Sequence, residues 1–240
     1  MSNRSHDDYF GASVVGPRHR ADGKPNEDSW LGVRGAFGTL VVVSDGIGSR
    51  REARRGARMA CRAVLDAVRM WHQAGAHDLD KLLVRIEPVW CSLIAPSTPR
   101  DCAATCLFAL AHARGQVHVA ALGDGLALMR TRLGLEWVVG PRSAGFANET
   151  AALGHSASWT SRSFRRDGGE VIVLATDGVA DDLLPERIDG FVQWLLEDFA
   201  GMTPKLRWRA LRRELQEWPT PHHTDDKTVV VLMEREEVLA

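Results

Sequence analysis

The chain has 240 residues and a balanced charge, with 30 basic and 31 acidic side chains and a formal net charge of −1. This balance gives no general reason to expect a nucleic acid or an anionic membrane as a partner. Hydrophobic residues make up 45% and charged residues 25%, which is the profile of a soluble globular protein with a substantial core.

The predicted elements begin after a polar N-terminal segment. Residues 1–10 lack the apolar core of a signal peptide and are predicted to form a loose leader. No later stretch approaches the roughly 18 apolar residues of a membrane span, so we expect a cytoplasmic protein. Residues 11–16 favour a first strand, residues 17–26 a loop, and residues 27–33 a second strand.

A buried strand follows, and it ends in a carboxylate. Residues 40–43 are four consecutive apolar residues rich in β-branched side chains, as expected for a strand that is buried on both faces. The strand stops at Asp45-Gly46. A carboxylate at the end of a rigid strand, followed by a flexible backbone, is a common way to hold a metal ion or a catalytic acid, but an ordinary Asp-Gly turn has the same sequence.

Helical periodicity appears in two pairs of segments. The first pair covers residues 50–73 and 78–94, where Pro88 is expected to kink or break the second helix. The second pair covers residues 186–201 and 204–217. Arginines cluster on one member of each pair, and most such runs are solvated helix faces. The clustered residues are Arg50, Arg51, Arg54, Arg55, Arg58, Arg62, Arg207, Arg209, Arg212 and Arg213.

Short strands fill the rest of the chain. We predict them at residues 103–112, 116–122, 126–131, 135–138, 159–164, 170–175 and 228–233. The consecutive strands from 103 to 138 favour an antiparallel meander over βαβ units. The order of the elements suits one α+β domain over residues 1–240, an αββα sandwich in which two packed antiparallel β-sheets are flanked by helix pairs.

Acidic residues recur beside the predicted strand ends. They are Glu27, Asp28, Asp45, Asp177, Asp181, Asp225 and Asp226. If these ends converge at one edge of the sandwich, the carboxylates come close enough to repel one another strongly unless cations separate them. All-oxygen ligation selects Mg²⁺ or Mn²⁺ over zinc. Two such ions can activate water for in-line attack on a phosphate whose oxygens they polarise.

The order of these motifs resembles that of the type 2C (PPM) metal-dependent serine/threonine protein phosphatases, and is most similar to a divergent bacterial subgroup. The resemblance extends from about residue 11 to residue 234. Its motifs are Asn26-Glu27-Asp28-Ser29, residues 42–48 (VVSDGIG), Leu122-Gly123-Asp124-Gly125, residues 174–181 (LATDGVAD) and Asp225-Asp226-Lys227-Thr228.

The resemblance implies a PP2C-like fold and a centre of two Mn²⁺ or Mg²⁺ ions. Asp45 would bridge both ions, and the carbonyl of Gly46 would complete one site. Asp177 and Asp225 would bind the first ion, and Glu27 would bind the second.

The resemblance also implies outer ligands and a third ion. Asp28 would orient water in the outer shell, while Asp181 and Asp124 would form a weaker third metal site. The register favours Asp225 over Asp226 as the ligand, although a one-residue slip would exchange them.

Two positions depart from the family pattern. The arginine that binds phosphate in the family is replaced by Gly23, four residues before the motif glutamate. Arg20, Lys24 or His19 could supply the missing cation. The position after the Asp-Gly pair, histidine in some members, is Ile47, which cannot act as a general acid.

The implied activity is hydrolysis of phosphoserine or phosphothreonine in protein substrates of a serine/threonine kinase pathway. Residues 140–158 would form the flap that shapes substrate access. Two alternatives stay open. A pseudophosphatase that acts as a regulatory binding module is favoured by Gly23, and a hydrolase of small phosphorylated molecules would use the same carboxylates.

Overall fold

The computed structural model describes residues 5–140, 151–155, 158–220 and 223–236. Within these ranges the chain forms ten strands in two antiparallel five-stranded sheets. Among the described residues, no helix combines the length and the apolarity needed to cross a membrane.

The first sheet has the strand order β1-β10-β9-β6-β7, and the second sheet has the order β2-β3-β4-β5-β8. The strands are β1 (Ser5–Val14), β2 (Asp28–Gly35), β3 (Gly38–Asp45), β4 (Cys106–His112), β5 (Gln116–Leu122), β6 (Leu126–Thr131), β7 (Gly134–Val139), β8 (Thr160–Arg165), β9 (Val171–Ala175) and β10 (Lys227–Glu236).

Helices cover the outer face of each sheet. They are α2 (Ala53–Gln73), α3 (Leu79–Ile94), α4 (Asp177–Ala180), α5 (Ile188–Trp194) and α6 (Pro204–Gln216), while the short helix α1 (Pro17–Ala21) lies between β1 and β2 in the chain. One apolar cluster joins α2 and α3 to the second sheet, and another joins α5 and α6 to the first. A third cluster lies between the sheets. This arrangement confirms the predicted αββα sandwich, because each sheet buries both faces.

The long helices form where the sequence predicts them. Small buried residues such as Ala57, Ala60 and Val64 let α2 pack closely on the second sheet. Asp78 caps the start of α3, where its side chain accepts a hydrogen bond from a backbone N–H of the first turn. The proline at position 88 lies inside α3, and the helix continues through it to residue 94.

The N-terminal segment is a strand from Ser5 onward, so the prediction of a loose leader over residues 1–10 is wrong for the described part. Residues 5–14 pair with β10 along their whole length, at the edge of the first sheet. The polar side chains that argued against a strand are anchored: Asp8 lies 2.9 Å from a guanidinium nitrogen of Arg207 and 3.0 Å from one of Arg235. An edge strand tolerates such polar residues because one side of it faces solvent.

The predicted meander is divided between the two sheets. The hairpin β4–β5 belongs to the second sheet and the hairpin β6–β7 to the first, so the chain crosses the sandwich at residues 123–125. Gly123 and Gly125 have φ angles of +101° and +115°, a backbone conformation that glycine adopts without strain. The predicted loop at 17–26 also contains the short helix α1. Most of the predicted flap at residues 140–158 lies outside the described residues.

The sheet topology gathers strand ends at one edge, which we call the acidic edge. β2 begins and β3 ends there, since Asp28 pairs with Asp45 in register. In the first sheet, β9 runs antiparallel to β10, so Thr176, which follows β9, lies beside the start of β10 and donates its backbone N–H to the carbonyl of Thr228 at 3.1 Å. Carboxylates that are far apart in the sequence therefore converge.

Candidate metal centre

Asp28 and Asp45 form the middle of the acidic edge. They are cross-strand partners, and Asp28 is only 7% exposed. Burial, followed by the charge of the neighbouring Asp28, raises the pKa of Asp45 well above its usual range, and the charge of Asp177 adds to the rise. Burial also raises the pKa of Asp28 to about 7. Burial and the charges of neighbouring carboxylates therefore both make the charged forms of Asp28 and Asp45 unfavourable.

Two threonines fix the Asp28 carboxylate. The hydroxyls of Thr176 and Thr228 lie 2.8 Å and 2.6 Å from its Oδ2. These threonines come from the end of β9 and the start of β10, so one carboxylate ties the two sheets together. Its other oxygen, Oδ1, is buried without a hydrogen-bond partner. The side chain is therefore rigidly oriented and keeps one acceptor open.

The backbone around Asp45 is held by Thr105, the residue directly before β4. The backbone N–H of Asp45 donates to Oγ1 of Thr105 at 2.9 Å, and the backbone N–H of Thr105 donates to the Asp45 carbonyl at 2.8 Å. Gly46 has no room for a side chain, since a Cβ there would lie 2.4 Å from the backbone of Ala53 at the start of α2. Glycine is required at this turn because the helix packs directly on the chain.

Glu27 lies beside the buried His19. The Nε2 atom of His19 is 3.7 Å from Oε2 of Glu27, and this carboxylate oxygen is buried without a hydrogen-bond partner. Burial raises the pKa of Glu27, although the positive charges of His19 and Lys24 oppose the rise. Burial lowers the pKa of His19, but its hydrogen bond to Asp226 and the nearby acidic charges outweigh that effect and leave the pKa raised.

Asp225 and Asp226 have different environments. Asp226 is 1% exposed, and its carboxylate accepts hydrogen bonds from the backbone N–H groups of Gly16 at 2.7 Å and Glu27 at 2.6 Å. It also lies 2.9 Å from Nδ1 of His19. The side chain of Asp225 is 36% exposed and also adds to the raised pKa of Asp45. The environment of Asp226 suits a structural role, and that of Asp225 suits a ligand.

Asp177 and Asp181 lie on either side of His223. The Nε2 atom of His223 is 3.6 Å from Oδ2 of Asp177 and 3.9 Å from Oδ2 of Asp181. The Oδ1 atom of Asp181 is buried without a hydrogen-bond partner. The short helix α4 sets this spacing because it begins at Asp177 and ends one residue before Asp181. In the described part of the chain, the ligand atoms of these three side chains lie within 4.8 Å of one another, as do those of His19, Asp225 and Asp226.

A buried lysine lies beneath these carboxylates. Lys227 is 1% exposed and donates to the carbonyl of Gly178 at 2.7 Å and to that of His223 at 3.2 Å. Its Nζ atom is 3.7 Å from Oδ2 of Asp182. Burial lowers the pKa of Lys227, and the charge of Asp182 opposes the change. The lysine connects the segment after β9 to the segment before β10.

Asp124 lies between two segments of the acidic edge, in the turn from β5 to β6. A Cβ at Gly123 would lie 2.7 Å from the Thr105 side chain, and one at Gly125 would lie 2.5 Å from the carbonyl of Ala175. Thr105 contacts Asp45, and Ala175 ends the strand that leads to the 177–181 segment. Asp124 therefore belongs to the same edge, although it is in neither of the two three-residue clusters.

The candidates for phosphate binding differ in position. Arg20 donates from Nη2 to the carbonyl of Val15 at 3.1 Å. Lys24 is close enough for its charge to oppose the raised pKa of Glu27. Gly23 has a φ of +66°, and a Cβ there would have open space around it. Glycine at this position therefore reflects backbone conformation rather than crowding.

The residues of the acidic edge suit hard divalent cations. The Oε2 atom of Glu27 and the Oδ1 atoms of Asp28 and Asp181 are buried carboxylate oxygens without hydrogen-bond partners. Burial and then the like charges of its neighbours raise the pKa of Asp45. Bound cations would satisfy these oxygens and remove the repulsion. The oxygen-rich donor set fits Mg²⁺ or Mn²⁺.

Sequence reasoning located the carboxylates but missed three features of their surroundings. It assigned no role to His223 or to Lys227, and it considered His19 only as a phosphate-binding residue. The contacts of these side chains depend on segments distant in the chain, such as the 207 residues between His19 and Asp226. The run Asp225-Asp226-Lys227-Thr228 did contain a signal, because a lysine at the start of a buried strand requires an acidic partner.

The chain resembles known phosphatases in sequence and in fold. A family model described as Protein phosphatase 2C matches residues 15–218. A search of curated proteins finds no match.

Solved structures match over nearly the whole chain at low sequence identity. The catalytic domain of the serine/threonine protein phosphatase PstP, solved with two manganese ions, is 18% identical, with a TM-score of 0.64 and coverage of 97% of this chain and 100% of that one. The S. agalactiae serine/threonine phosphatase is 15% identical, with a TM-score of 0.66 and coverage of 95% and 99%. PppA of Pseudomonas aeruginosa, a key regulatory component of T6SS, is 18% identical, with a TM-score of 0.62 and coverage of 97% and 100%.

These structures share the fold of two antiparallel sheets flanked by helices. The family model covers most of the chain and includes four of the five motifs that the sequence presents, with the last motif, at residues 225–228, beyond its end. The chain belongs to the protein phosphatase 2C family.

Proposed function

We propose that the protein hydrolyses phosphoserine and phosphothreonine in protein substrates, and that it needs Mn²⁺ or Mg²⁺ to do so. The observation that carries this proposal is the convergence of Glu27, Asp45, Asp177 and Asp225 at one sheet edge in a member of the protein phosphatase 2C family. A related fold, that of PstP, was solved with two manganese ions.

Each carboxylate has a role that its position supports. Asp45 is central, since the charges of Asp28, Asp177 and Asp225 all act on it, and it would therefore bridge two cations. Asp177 and Asp225 would complete one site, and Glu27 with the Gly46 carbonyl the other. Asp181 and Asp124 would hold a third ion. When bound, the cations supply an activated water molecule and neutralise the charge that develops on the phosphoryl group.

Asp28 would position water and accept a proton. Thr176 and Thr228 fix its Oδ2, and its Oδ1 is buried with no hydrogen-bond partner. A carboxylate held in one orientation with a free acceptor can align a water molecule for in-line attack, which lowers the entropic part of the barrier. Its pKa is about 7 in the metal-free protein. Cations bound nearby would lower this pKa and so favour the ionised form of Asp28.

The test is phosphatase activity on a phosphothreonine peptide with and without Mn²⁺, for the native protein and for Asp45→Asn and Asp177→Asn. We expect each variant to lose at least about 1,000-fold in kcat, because metal ions contribute several kcal/mol of transition-state stabilisation. Calorimetric titration should show weaker Mn²⁺ binding. The matched control is Asp167→Asn, in the turn before β9, which should keep full activity.

Several results would contradict this proposal. Activity without metal, or full activity in both variants, would exclude the cation mechanism. Efficient hydrolysis of small phosphate esters with no hydrolysis of any phosphopeptide would favour a small-molecule hydrolase.

A pseudophosphatase is the second candidate, and Gly23 is the observation that favours it. The residue stands where the family has its phosphate-binding arginine, and its φ of +66° disfavours any side chain there. Tight Mn²⁺ binding by the native protein without hydrolysis of phosphopeptides or small phosphate esters would support the binding module over the enzyme.

A further inference from the structure

A face of exposed arginines runs along α2 and the residue pair before it. We call it the arginine face, and it consists of Arg51, Arg54, Arg58, Arg62 and Arg69, all of them exposed. Arg51 lies in the turn before the helix, and at 3.6 residues per turn the other four positions fall within an arc of about 80° around the helix axis. The opposite side of α2 packs on the second sheet. The positive charges therefore share one solvent-facing surface.

Only part of this charge is neutralised by neighbouring acidic groups. Arg62 and Arg69 share Asp66, at 2.8 Å and 3.5 Å. In the described ranges, Arg51, Arg54 and Arg58 form no ion pair. These are the three members closest to the start of α2, so the uncompensated charge is concentrated at that end.

The start of α2 adjoins the candidate metal centre. Ala53, the first residue of the helix, packs against Gly46, and a Cβ at Gly48 would lie 3.6 Å from Oε2 of Glu27. From Arg54 to Arg62 the helical part of the face extends about 12 Å at 1.5 Å per residue, and Arg51 continues it in the turn before the helix. An extended peptide advances about 3.3 Å per residue, so the helical part corresponds to roughly four residues. A substrate whose phosphoresidue reaches the metal centre can thus lay a neighbouring segment along the face.

We propose that the arginine face binds an acidic segment next to the phosphoresidue of a protein substrate. Carboxylate side chains match it because guanidinium groups bind carboxylates in a bidentate manner. The proposal rests on the proposed phosphatase function and specifies its substrate class: phosphoproteins with several Asp or Glu residues on one side of the phosphorylated position. A nucleic acid fits less well, because the chain has no net positive charge.

The second arginine group offers a matched control. Arg209, Arg212 and Arg213 are exposed on α6, which covers the first sheet on the other side of the sandwich. One of them pairs with Glu214 at 3.4 Å, and another lies over the ring of Trp208 at 5.4 Å. These residues are far from the start of α2 and have the same chemistry.

The experiment compares two phosphothreonine peptides, one flanked by four glutamates and one by four glutamines. The proteins are the native chain, the triple variant R51Q/R54Q/R58Q and the control R209Q/R212Q/R213Q. We expect R51Q/R54Q/R58Q to raise KM for the acidic peptide by roughly 3- to 30-fold, because it removes three exposed charge pairs and each such pair contributes little binding energy. Its KM for the neutral peptide and its turnover of p-nitrophenyl phosphate should be unchanged, as should all values for the α6 control.

Fluorescence anisotropy of the labelled acidic peptide gives a readout that does not depend on catalysis. If the protein hydrolyses none of the substrates, the phosphatase proposal fails. Weaker binding of the acidic peptide by R51Q/R54Q/R58Q than by the native protein would still support the role of the arginine face. Equal affinity of the native protein for the two peptides would overturn the proposal. Tighter binding of duplex DNA or of phosphatidylserine vesicles than of the acidic peptide, lost in the same variant, would also overturn it.

Discussion

The two ends of the β-sandwich both bury titratable side chains, but they differ in how charge is balanced. At the acidic edge, β3 ends at Asp45 among carboxylates with raised pKa values. About 24 Å away along the same strand, Gly38 pairs with His112. His112 packs edge-on against Trp71, with ring centroids 5.2 Å apart, and lies 3.3 Å from His72 between ring nitrogens. We call this region the histidine end.

The histidine end avoids charge, whereas the acidic edge concentrates it. Burial, followed by the charge of His72, lowers the pKa of His112 to about 4, so this ring is neutral at pH 7. At the acidic edge, burial and neighbouring carboxylates raise the pKa values of Asp28 and Asp45, so the charged forms of these two side chains carry an electrostatic cost in the metal-free protein. Bound ligands can offset this electrostatic cost. A cluster of buried charges that carries such a cost without ligands is therefore typical of a functional site rather than of a structural one.

The largest expected effect concerns the buried cation of the acidic edge. Lys227→Met removes the charge that faces Asp182 and the donor to the carbonyl of Gly178. Removing the cation that balances a buried carboxylate typically costs about 3–5 kcal/mol. We expect a loss of that size in the free energy of unfolding, measured by urea denaturation of the metal-free protein.

The double variant K227M/D182N tests the cause of that loss. It also removes the negative charge of Asp182, which Lys227 no longer balances, and should recover part of the stability. Lys81→Met, on the exposed side of α3, is the matched control and should change stability by less than about 0.5 kcal/mol. A loss below about 1 kcal/mol for K227M would show that the lysine is not needed to balance the edge.

The pH dependence of stability should have opposite signs at the two ends. The pKa of His112 is about 4 in the folded protein and near 6.5 when unfolded, so the unfolded state binds more protons between these values. The neutral ring contributes about 3 kcal/mol to the free energy of unfolding above pH 6.5, and this contribution is lost as the pH falls toward 4. His112→Gln should remove that slope in urea titrations of the metal-free protein.

Asp28 should behave in the opposite way. Its pKa is about 7 when folded and 3.8 as a free side chain, so the folded state binds the extra proton and gains stability as the pH falls through this window. Asp28→Asn should remove this gain, so the free energy of unfolding should fall more steeply as the pH is lowered. If the free energy of unfolding has the same pH dependence in the native protein, His112→Gln and Asp28→Asn, then neither the lowered pKa of His112 nor the raised pKa of Asp28 affects stability, and both predictions are wrong.

The contrast also explains which features the sequence could predict. Most strands, the long helices and the acidic motifs depend on local patterns, such as the apolar run from Leu40 to Val43, and they were found. The strand at residues 5–14 was missed in part, because it pairs with the distant strand β10 and because the partners of Asp8, Arg207 and Arg235, are also distant in the sequence. The division of the predicted meander was missed because sheet membership after the turn at 123–125 is a long-range property.

The candidate site shows the same limit. Motifs identified the carboxylates, but no spacing connects His223 to Asp177, or Lys227 to Asp182, before the chain folds. The different environments of the adjacent residues Asp225 and Asp226 also depend on the tertiary structure. Asp226 is enclosed by backbone donors from the N-terminal segment, and only the folded structure shows this.

The smallest expected effect concerns the exposed cations beside the acidic edge. Lys24 acts electrostatically on Glu27, whereas the Arg20 side chain donates to the carbonyl of Val15. If Lys24 supplies the charge that Gly23 does not, Lys24→Ala should raise KM for a phosphothreonine peptide about 3- to 5-fold, as expected for one exposed charge contact, with little change in kcat. Arg20→Ala, the matched control, should leave both constants unchanged. A larger rise in KM for Arg20→Ala than for Lys24→Ala would reverse this assignment, because the arginine would then have to leave Val15 to reach the phosphate.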